Sequence, residues 1–205
     1  MNIIVFEDEL VKDLRPFTYN HGSFEVKTGM MSNLDRFIKV FSNNNLLLIV
    51  RDEIKDLIKE KFPSLNINPP RIPEGYCLNA RMVWKEEYNN LYLNNNNYIK
   101  DKSLLIYKNI TDLSLNKFNI KISKNIKGEE SHSISIIHYL WNAIDLFDEM
   151  LNYDLKIDKS IFSNKKFQSV FYIKEKNIRI GKNTNIKAGT ILDAEKGPII
   201  IGNNV

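Results

Sequence analysis

The residues best suited to polar chemistry come early in the chain. An apolar run, "NIIVF" at 2–6, passes directly into Glu7, Asp8 and Glu9. In a strand-loop-helix opening, a glycine-rich loop can cradle phosphate through its backbone N–H groups. Here the first glycine is Gly22, and the consecutive carboxylates should repel phosphate rather than hold it. Electrophilic help therefore has to come from Arg15, Thr18, His21 or Lys27. A guanidinium is always charged and grips phosphate with two donors, whereas an imidazole is mostly neutral at pH 7. Asp8 is the weaker candidate for a metal ligand, because an acid after a first strand also serves to start a helix. Asn79 and Arg81 stand at the end of a later apolar run. Ligands of open α/β sheets bind outside such strand ends, although an asparagine there could equally cap a turn.

Other chemistries find little support. Cys77 is the single cysteine, so neither an internal disulfide nor a cysteine-based zinc site is expected. His21, His132 and His138 lack the spacing of metal ligands. Lysine and arginine total 29 against 25 acids, a formal charge of +4. That mild excess is not gathered into a basic stripe with interleaved aromatics, so nucleic acid is not an expected partner. The apolar start is too short for a secretory signal, and no apolar run is long enough for a bilayer-spanning helix. A cytoplasmic protein with no membrane partner is the expectation.

Positioning these residues requires a scaffold, and the hydrophobic pattern describes one. Met1–Phe6 and Leu46–Val50 read as buried strands, rich in aliphatic residues. Met30, Leu34, Phe37, Ile38 and Phe41 recur at helical spacing between them, and Ile54, Leu57, Ile58 and Phe62 do so afterwards, up to Pro63. Strand, helix, strand, helix predicts an α/β domain with a mostly parallel sheet. "CLNARMVW" reads as a third strand running into a loop, and "SLLIYKN" and "FNIKIS" read as further strands. From about Ile136, a long amphipathic helix is expected, with Trp141 in a core or interdomain packing role rather than as a ligand platform.

After residue 160 the period changes. Ile180, Ile186 and Leu192 are six residues apart, and Ile201-Gly202 echoes Ile180-Gly181 after an insertion around Gly197 and Pro198. A six-residue beat favours a parallel β-helix over the alternative, a meander with frequent turns. Ile180, Ile186, Leu192 and Ile201 would then point inward. Repeat stacks need about three units and a cap. The stop at Val205 therefore leads us to expect either a fragment of a longer protein or a stub packed on the α/β domain. The expected division is 1–172 for the α/β domain and 173–205 for an incomplete β-helix.

"IIVFEDELVKDLRPFTYNHGSFEVKTG", "LNAR" at 78–81, "YLWNAIDLFDEMLNYDL" and "LDAEKGPIIIG" together resemble a known bacterial family. This is the UDP-N-acetylglucosamine diphosphorylase / glucosamine-1-phosphate N-acetyltransferase-related family, in which a divergent sugar nucleotidyltransferase domain precedes a left-handed β-helix. The matching positions include Pro16, Phe17, Thr18, Gly29, Asn79, Arg81, Tyr139, Trp141, Leu146, Glu149 and Asp154. The chain departs from the family pattern at Asn20-His21-Gly22, where the family has Thr-Arg-Pro, and at Lys27, Ala80 and Asn142.

The resemblance implies a Rossmann-like nucleotide-diphospho-sugar transferase domain followed by the start of a left-handed hexapeptide β-helix. It implies transfer of a nucleotidyl group from a nucleoside triphosphate to a sugar-1-phosphate, with Mg2+ as cofactor and release of pyrophosphate. On this reading Arg15 and Lys27 are the catalytic candidates facing the triphosphate. Thr18 offers a hydroxyl, Asn79 and Arg81 bind near the sugar phosphate, and the metal ligands are unknown. A completed β-helix would imply a homotrimer, and acetyl transfer is not expected from this chain alone. The competing reading is a catalytically degenerate module, binding a nucleotide or sugar or serving assembly, that precedes a β-helix acyltransferase domain.

Overall fold

The structure is a computed structural model that describes residues 1–88, 97–123, 127–158 and 166–205. Most of the asparagine run at 94–97, to which the sequence assigns no function, lies outside the described residues. The chain forms two compact units, Met1–Ile157 and Asp158–Val205, a division that falls before the 172/173 boundary expected from the repeat.

The first unit is built on a central strand, β1 (Asn2–Phe6). Its Ile3, Ile4, Val5 and Phe6 are fully buried. Successive strand side chains point to opposite faces, so a run buried throughout belongs in a sheet covered on both sides. Strand β2 (Asn45–Ile49) pairs with β1 in parallel, and β3 (Asn66–Ile67) pairs with β2. The chain makes a short strand, β4 (Arg71–Ile72), and then β5 (Gly75–Asn79) returns to the other side of β1, also in parallel. A topological switch point thus falls between β1 and β5, where open α/β sheets form ligand crevices.

Beyond β5 come β6 (Met82–Val83), β7 (Tyr98–Lys100), β8 (Ser103–Asn109), β9 (Leu113–Ser114), β10 (Glu129–Glu130) and β11 (Ser135–Ile136). The main sheet has seven strands in the order β10-β7-β8-β5-β1-β2-β3. β8 is antiparallel to β5 and β7, while the remaining neighbours are parallel. The architecture is α/β with a mostly parallel central sheet, compatible with a Rossmann-like domain.

Helices cover both faces. Helix α1 (Asn33–Val40) starts at a capping box, in which Ser32 Oγ accepts from Asp35 N and Asp35 accepts from Ser32 N. Its Leu34 and Phe37, with Ile54 and Ile58 around α2 (Lys55–Lys61), pack on the Ile3/Val5 face. Ile38, expected on the inner stripe, is instead exposed.

The opposite face, with Ile4 and Phe6, is covered by α3 (Leu115–Ser123). This corrects the strand expected at "FNIKIS". Phe118 and Ile122 alternate with polar residues, but together with Leu115 they also fall at helical intervals, and all three pack on that core. A short apolar run satisfies both periods, and the helix is the arrangement that covers the sheet.

The long helix expected from about Ile136 is two helices, α4 (Leu140–Asp145) and α5 (Phe147–Ile157). Trp141 is exposed and stacks on Tyr139, with ring centroids 4.4 Å apart, instead of packing in a core. Helix α5 is anchored by a fully buried ion pair. Asp154 accepts from Arg36 Nε and Nη2 at 2.8 Å each, and from Met31 N at 2.9 Å. Gly29 makes this closeness possible. Its φ is +149°, and a Cβ there would lie 2.9 Å from Asp154 Oδ2 and from the backbone of α5.

In the second unit the chain returns over itself. Strand β12 (Phe171–Ile173) pairs in parallel with β14 (Ile191–Asp193), and β13 (Ile178–Ile180) pairs with β15 (Ile199–Ile201). Gly181 lies so close over Gly202 that a Cβ would meet its carbonyl at 2.4 Å. Thr184 Oγ1 donates to Gly202 O, and Asn183 and Asn204, both left-handed, stack and hydrogen-bond. Ile180 and Leu192 are buried, whereas Ile186 and Ile201 are half-buried.

Candidate active site

A cleft of about 420 Å³ opens at the carboxyl ends of β1 and β2. Glu7, Asp8 and Glu9 enter it from β1; Ile49, Val50, Arg51 and Glu53 enter from β2. A short 3-10 helix, Glu9–Leu14, and the loop after it bring Val11, Lys12, Arg15 and Thr18. Phe118, Asn119 and Ile122 of α3 complete the lining, with Phe118 itself buried in the core beneath it.

Asp8 starts a helix, as an acid after a first strand can, but Glu7 and Asp8 do not present the free charges that their position suggests. Asp8 is the N-cap of the 3-10 helix, and its Oδ1 accepts from Leu10 N at 3.1 Å and Arg81 Nε at 2.9 Å. Its Oδ2 accepts from Arg81 Nη2 at 2.6 Å and Asn79 Nδ2 at 2.8 Å. Glu7 is similarly occupied: Oε1 accepts from Ser23 N and Arg51 Nη1, and Oε2 from Arg51 N and Nη1, at 2.8–3.2 Å. A carboxylate has about four lone-pair sites, so both are filled. Each is also neutralised by a guanidinium in a charge-assisted contact. The expected repulsion of phosphate by this acidic run is corrected accordingly for Glu7 and Asp8.

The predicted residues fall into three groups. Arg15 and Thr18 line the cleft. Arg15 is exposed, with its guanidinium 5.3 Å from the Tyr19 ring centroid. Thr18 is buried and its Oγ1 donates to Val11 O at 2.9 Å, which leaves that oxygen able to accept but not to donate again. Asn79 and Arg81 lie behind the cleft wall, fully buried. Asn79 Oδ1 accepts from Arg81 N and its Nδ2 also donates to Leu104 O. Arg81 reaches Ser103 Oγ and Ile137 O besides Asp8. Their observed role is to fix Asp8 at the switch point. Lys27 is exposed, bridges in backbone register to Ser32, and is not among the residues lining the cleft.

Arg51 was missed by sequence reasoning. Besides gripping Glu7, its Nη2 donates to the carbonyls of Thr18 and His21, so it ties the loop after Arg15 to the end of β2. His21 stacks on Phe17 within that loop, with ring centroids 4.5 Å apart. The signal available was position alone, since Arg51 directly follows the second apolar run.

Among the described residues, no group of three or more His, Cys, Asp or Glu is placed to hold a metal ion. Magnesium needs only one or two carboxylates when substrate phosphates complete its shell. Glu9 and Glu53 fit that limited requirement, because they line the cleft and neither carries a hydrogen-bond donor among the described residues. Glu7 and Asp8 do not fit it, their oxygens being filled. No helix among the described residues is long and apolar enough to cross a membrane.

The cleft combines the exposed cations Lys12 and Arg15, the carboxylates Glu9 and Glu53, hydrogen-bonding groups and apolar side chains at strand ends. That composition suits a ligand with an anionic end and a flat, less polar body. No curated protein matches the chain. A family model described as sugar nucleotidyl transferase, however, matches residues 3–160 and so covers the unit that contains the cleft. The chain belongs to the sugar nucleotidyl transferase family.

Proposed function

We propose that the protein is a sugar-1-phosphate nucleotidyltransferase of the UDP-N-acetylglucosamine diphosphorylase type. The observation that carries this reading is the neutralisation of Glu7 and Asp8, which leaves Arg15 as an exposed cation in a cleft at the carboxyl ends of β1 and β2. The nucleoside triphosphate lies with its phosphates toward Arg15 and its base toward Asn119 and Ile122 of α3. A phosphate oxygen of the sugar-1-phosphate attacks the α-phosphorus, and the bond to the leaving pyrophosphate breaks. Catalysis of this kind is mostly positioning and stabilisation of charge on phosphoryl oxygens. Arg15 supplies that charge, and the Thr18 oxygen can accept a hydrogen bond. Asn79 and Arg81 hold the Asp8 wall against which the sugar phosphate is placed. Magnesium, held by Glu9 or Glu53, would neutralise phosphate charge when bound.

The reading extends to the second unit, which we take as the first coils of a left-handed β-helix. The support is the parallel return of β14 onto β12 and of β15 onto β13. A homotrimer and a cytoplasmic location for making a cell-wall precursor belong to the same proposal.

The test is pyrophosphate release with a panel of nucleoside triphosphates and sugar-1-phosphates in the presence of magnesium. Turnover is expected with at least one pair, and Arg15→Ala should lower it by roughly tenfold or more, the scale of one lost charge-assisted contact. Unchanged turnover in Arg15→Ala removes that assignment. A second reading, a nucleotide-binding module without turnover, is favoured by His21 at the position of a family arginine and by the commitment of the Thr18 hydroxyl proton to Val11 O. Nucleotide binding by calorimetry with silence across the panel would establish that reading.

A further inference from the structure

We propose that Lys12 is a second phosphate-contacting residue of the cleft, acting with Arg15 as a two-cation rim. The inference rests on the nucleotide reading of the cleft, and it assigns an anion grip to a residue that the family resemblance did not mark.

Lys12 lies in the 3-10 helix Glu9–Leu14, and Arg15 is its C-cap, whose N–H donates to Lys12 O at 3.2 Å. With three residues per turn, side chains three apart in such a helix project one above the other. Lys12 and Arg15 are so spaced, and both line the same cleft. There the carboxylates of Glu9, one turn before Lys12, and Glu53, unpaired among the described residues, are the opposing charges that a bound cation would offset. Both are exposed, so neither has been desolvated in the absence of ligand.

Availability separates them from the other cations nearby. Arg51 is occupied by Glu7 and by the carbonyls of Thr18 and His21. Arg81 is fully buried against Asp8. Neither Lys12 nor Arg15 is ion-paired among the described residues. The ligand class that fits adjacent unpaired cations is a di- or triphosphate chain, since its neighbouring phosphates can meet both. A flexible ammonium serves as a point charge for this purpose, alongside the forked guanidinium. The 3-10 helix thereby takes over the grip that a glycine-rich loop would supply with backbone N–H groups.

The experiment measures binding of inorganic tripolyphosphate by calorimetry at low and moderate ionic strength, and product formation in parallel. Lys12→Met should weaken tripolyphosphate binding roughly tenfold and flatten its salt dependence. Lys12→Arg should restore most of the affinity. Lys59→Met, on the exposed side of α2, should leave both unchanged. In the kinetic arm, Lys12→Met should raise KM for the nucleoside triphosphate more than it lowers kcat, because the contact exists in the ground state.

Tripolyphosphate binding that is absent in the unmodified protein, or unchanged in Lys12→Met, overturns the inference. So does a loss in Lys27→Met with none in Lys12→Met. Turnover by the unmodified protein with an unaltered KM in Lys12→Met removes Lys12 while leaving the nucleotidyltransferase reading intact. Binding that depends on Lys12 in a protein silent across the substrate panel upholds the rim and removes the enzyme.

Discussion

Two arginine–aspartate pairs hold the first unit together, and they differ in what surrounds them. Arg36 and Asp154 are both at 0% side-chain exposure, while Arg81 is at 0% and Asp8 at 16%. Both pairs use a two-pronged guanidinium grip on a carboxylate. The first joins α1 to α5 where water is excluded, so every remaining donor or acceptor must come from protein: Thr28, Asn33 and Met31 supply them. The second stands at the wall of the cleft, where solvent can reach the acid. One pair is therefore architecture alone, and the other is architecture that also sets the charge of a site.

Breaking the pairs should reveal that difference. Asp154→Ala strands a buried guanidinium, and we expect a loss of about 3–5 kcal/mol in urea denaturation. Adding Arg36→Met should cost less than the second single variant alone, because the stranded charge is removed. A loss under about 1 kcal/mol for Asp154→Ala would show that the pair does not anchor α5. Arg81→Met should cost less stability, about 1–3 kcal/mol, since Asp8 can recover part of its hydration. Its distinguishing effect should be on the ligand. With Asp8 no longer neutralised, nucleotide affinity measured by calorimetry should fall, whereas Arg36→Met in its surviving folded fraction should retain it. Equal affinity in Arg81→Met and the unmodified protein would mean that the charge of Asp8 does not matter to the cleft.

The smallest effect belongs to an exposed pair. Lys61 Nζ lies 3.1 Å from Glu25 Oε2, with side-chain exposures of 30% and 15%. Lys61→Met should change stability by about 0.5 kcal/mol, an amount that added salt should erase. A loss comparable to that of Arg81→Met would show that the Lys61 contact with Asn20 O also holds the loop beside the cleft.

The scaffold was legible where period and length agreed. The aliphatic runs at β1 and β2 and the helical stripes at α1 and α2 could be read because burial on two faces or on one stripe leaves different spacings. "FNIKIS" was misread because its apolar residues satisfy both periods, and the need to cover Ile4 and Phe6 decided between them. Of the core and interdomain roles open to Trp141, the core role is excluded: a large aromatic on an apolar stripe implies burial, but Trp141 is exposed and stacks on Tyr139. Arg15 and Thr18, which follow β1 closely in the chain, line the cleft. Arg51 was not legible, because nothing near it in the chain requires a guanidinium.

By itself the sequence determined the α/β alternation, the apolar strand that ends in carboxylates, and the absence of a glycine-rich phosphate loop. These are local facts, written in spacing and residue type over a few turns. Only the tertiary structure decided what the carboxylates are for. Arg51 reaches Glu7 across 44 positions of chain, and Arg81 reaches Asp8 across 73. Charge is felt through space, and which charges meet is set by the order of strands in the sheet. Once β2 and β5 flank β1, two acids of the run, Glu7 and Asp8, become a neutralised wall, while Glu9, unpaired among the described residues, stays in the cleft beside the exposed cations.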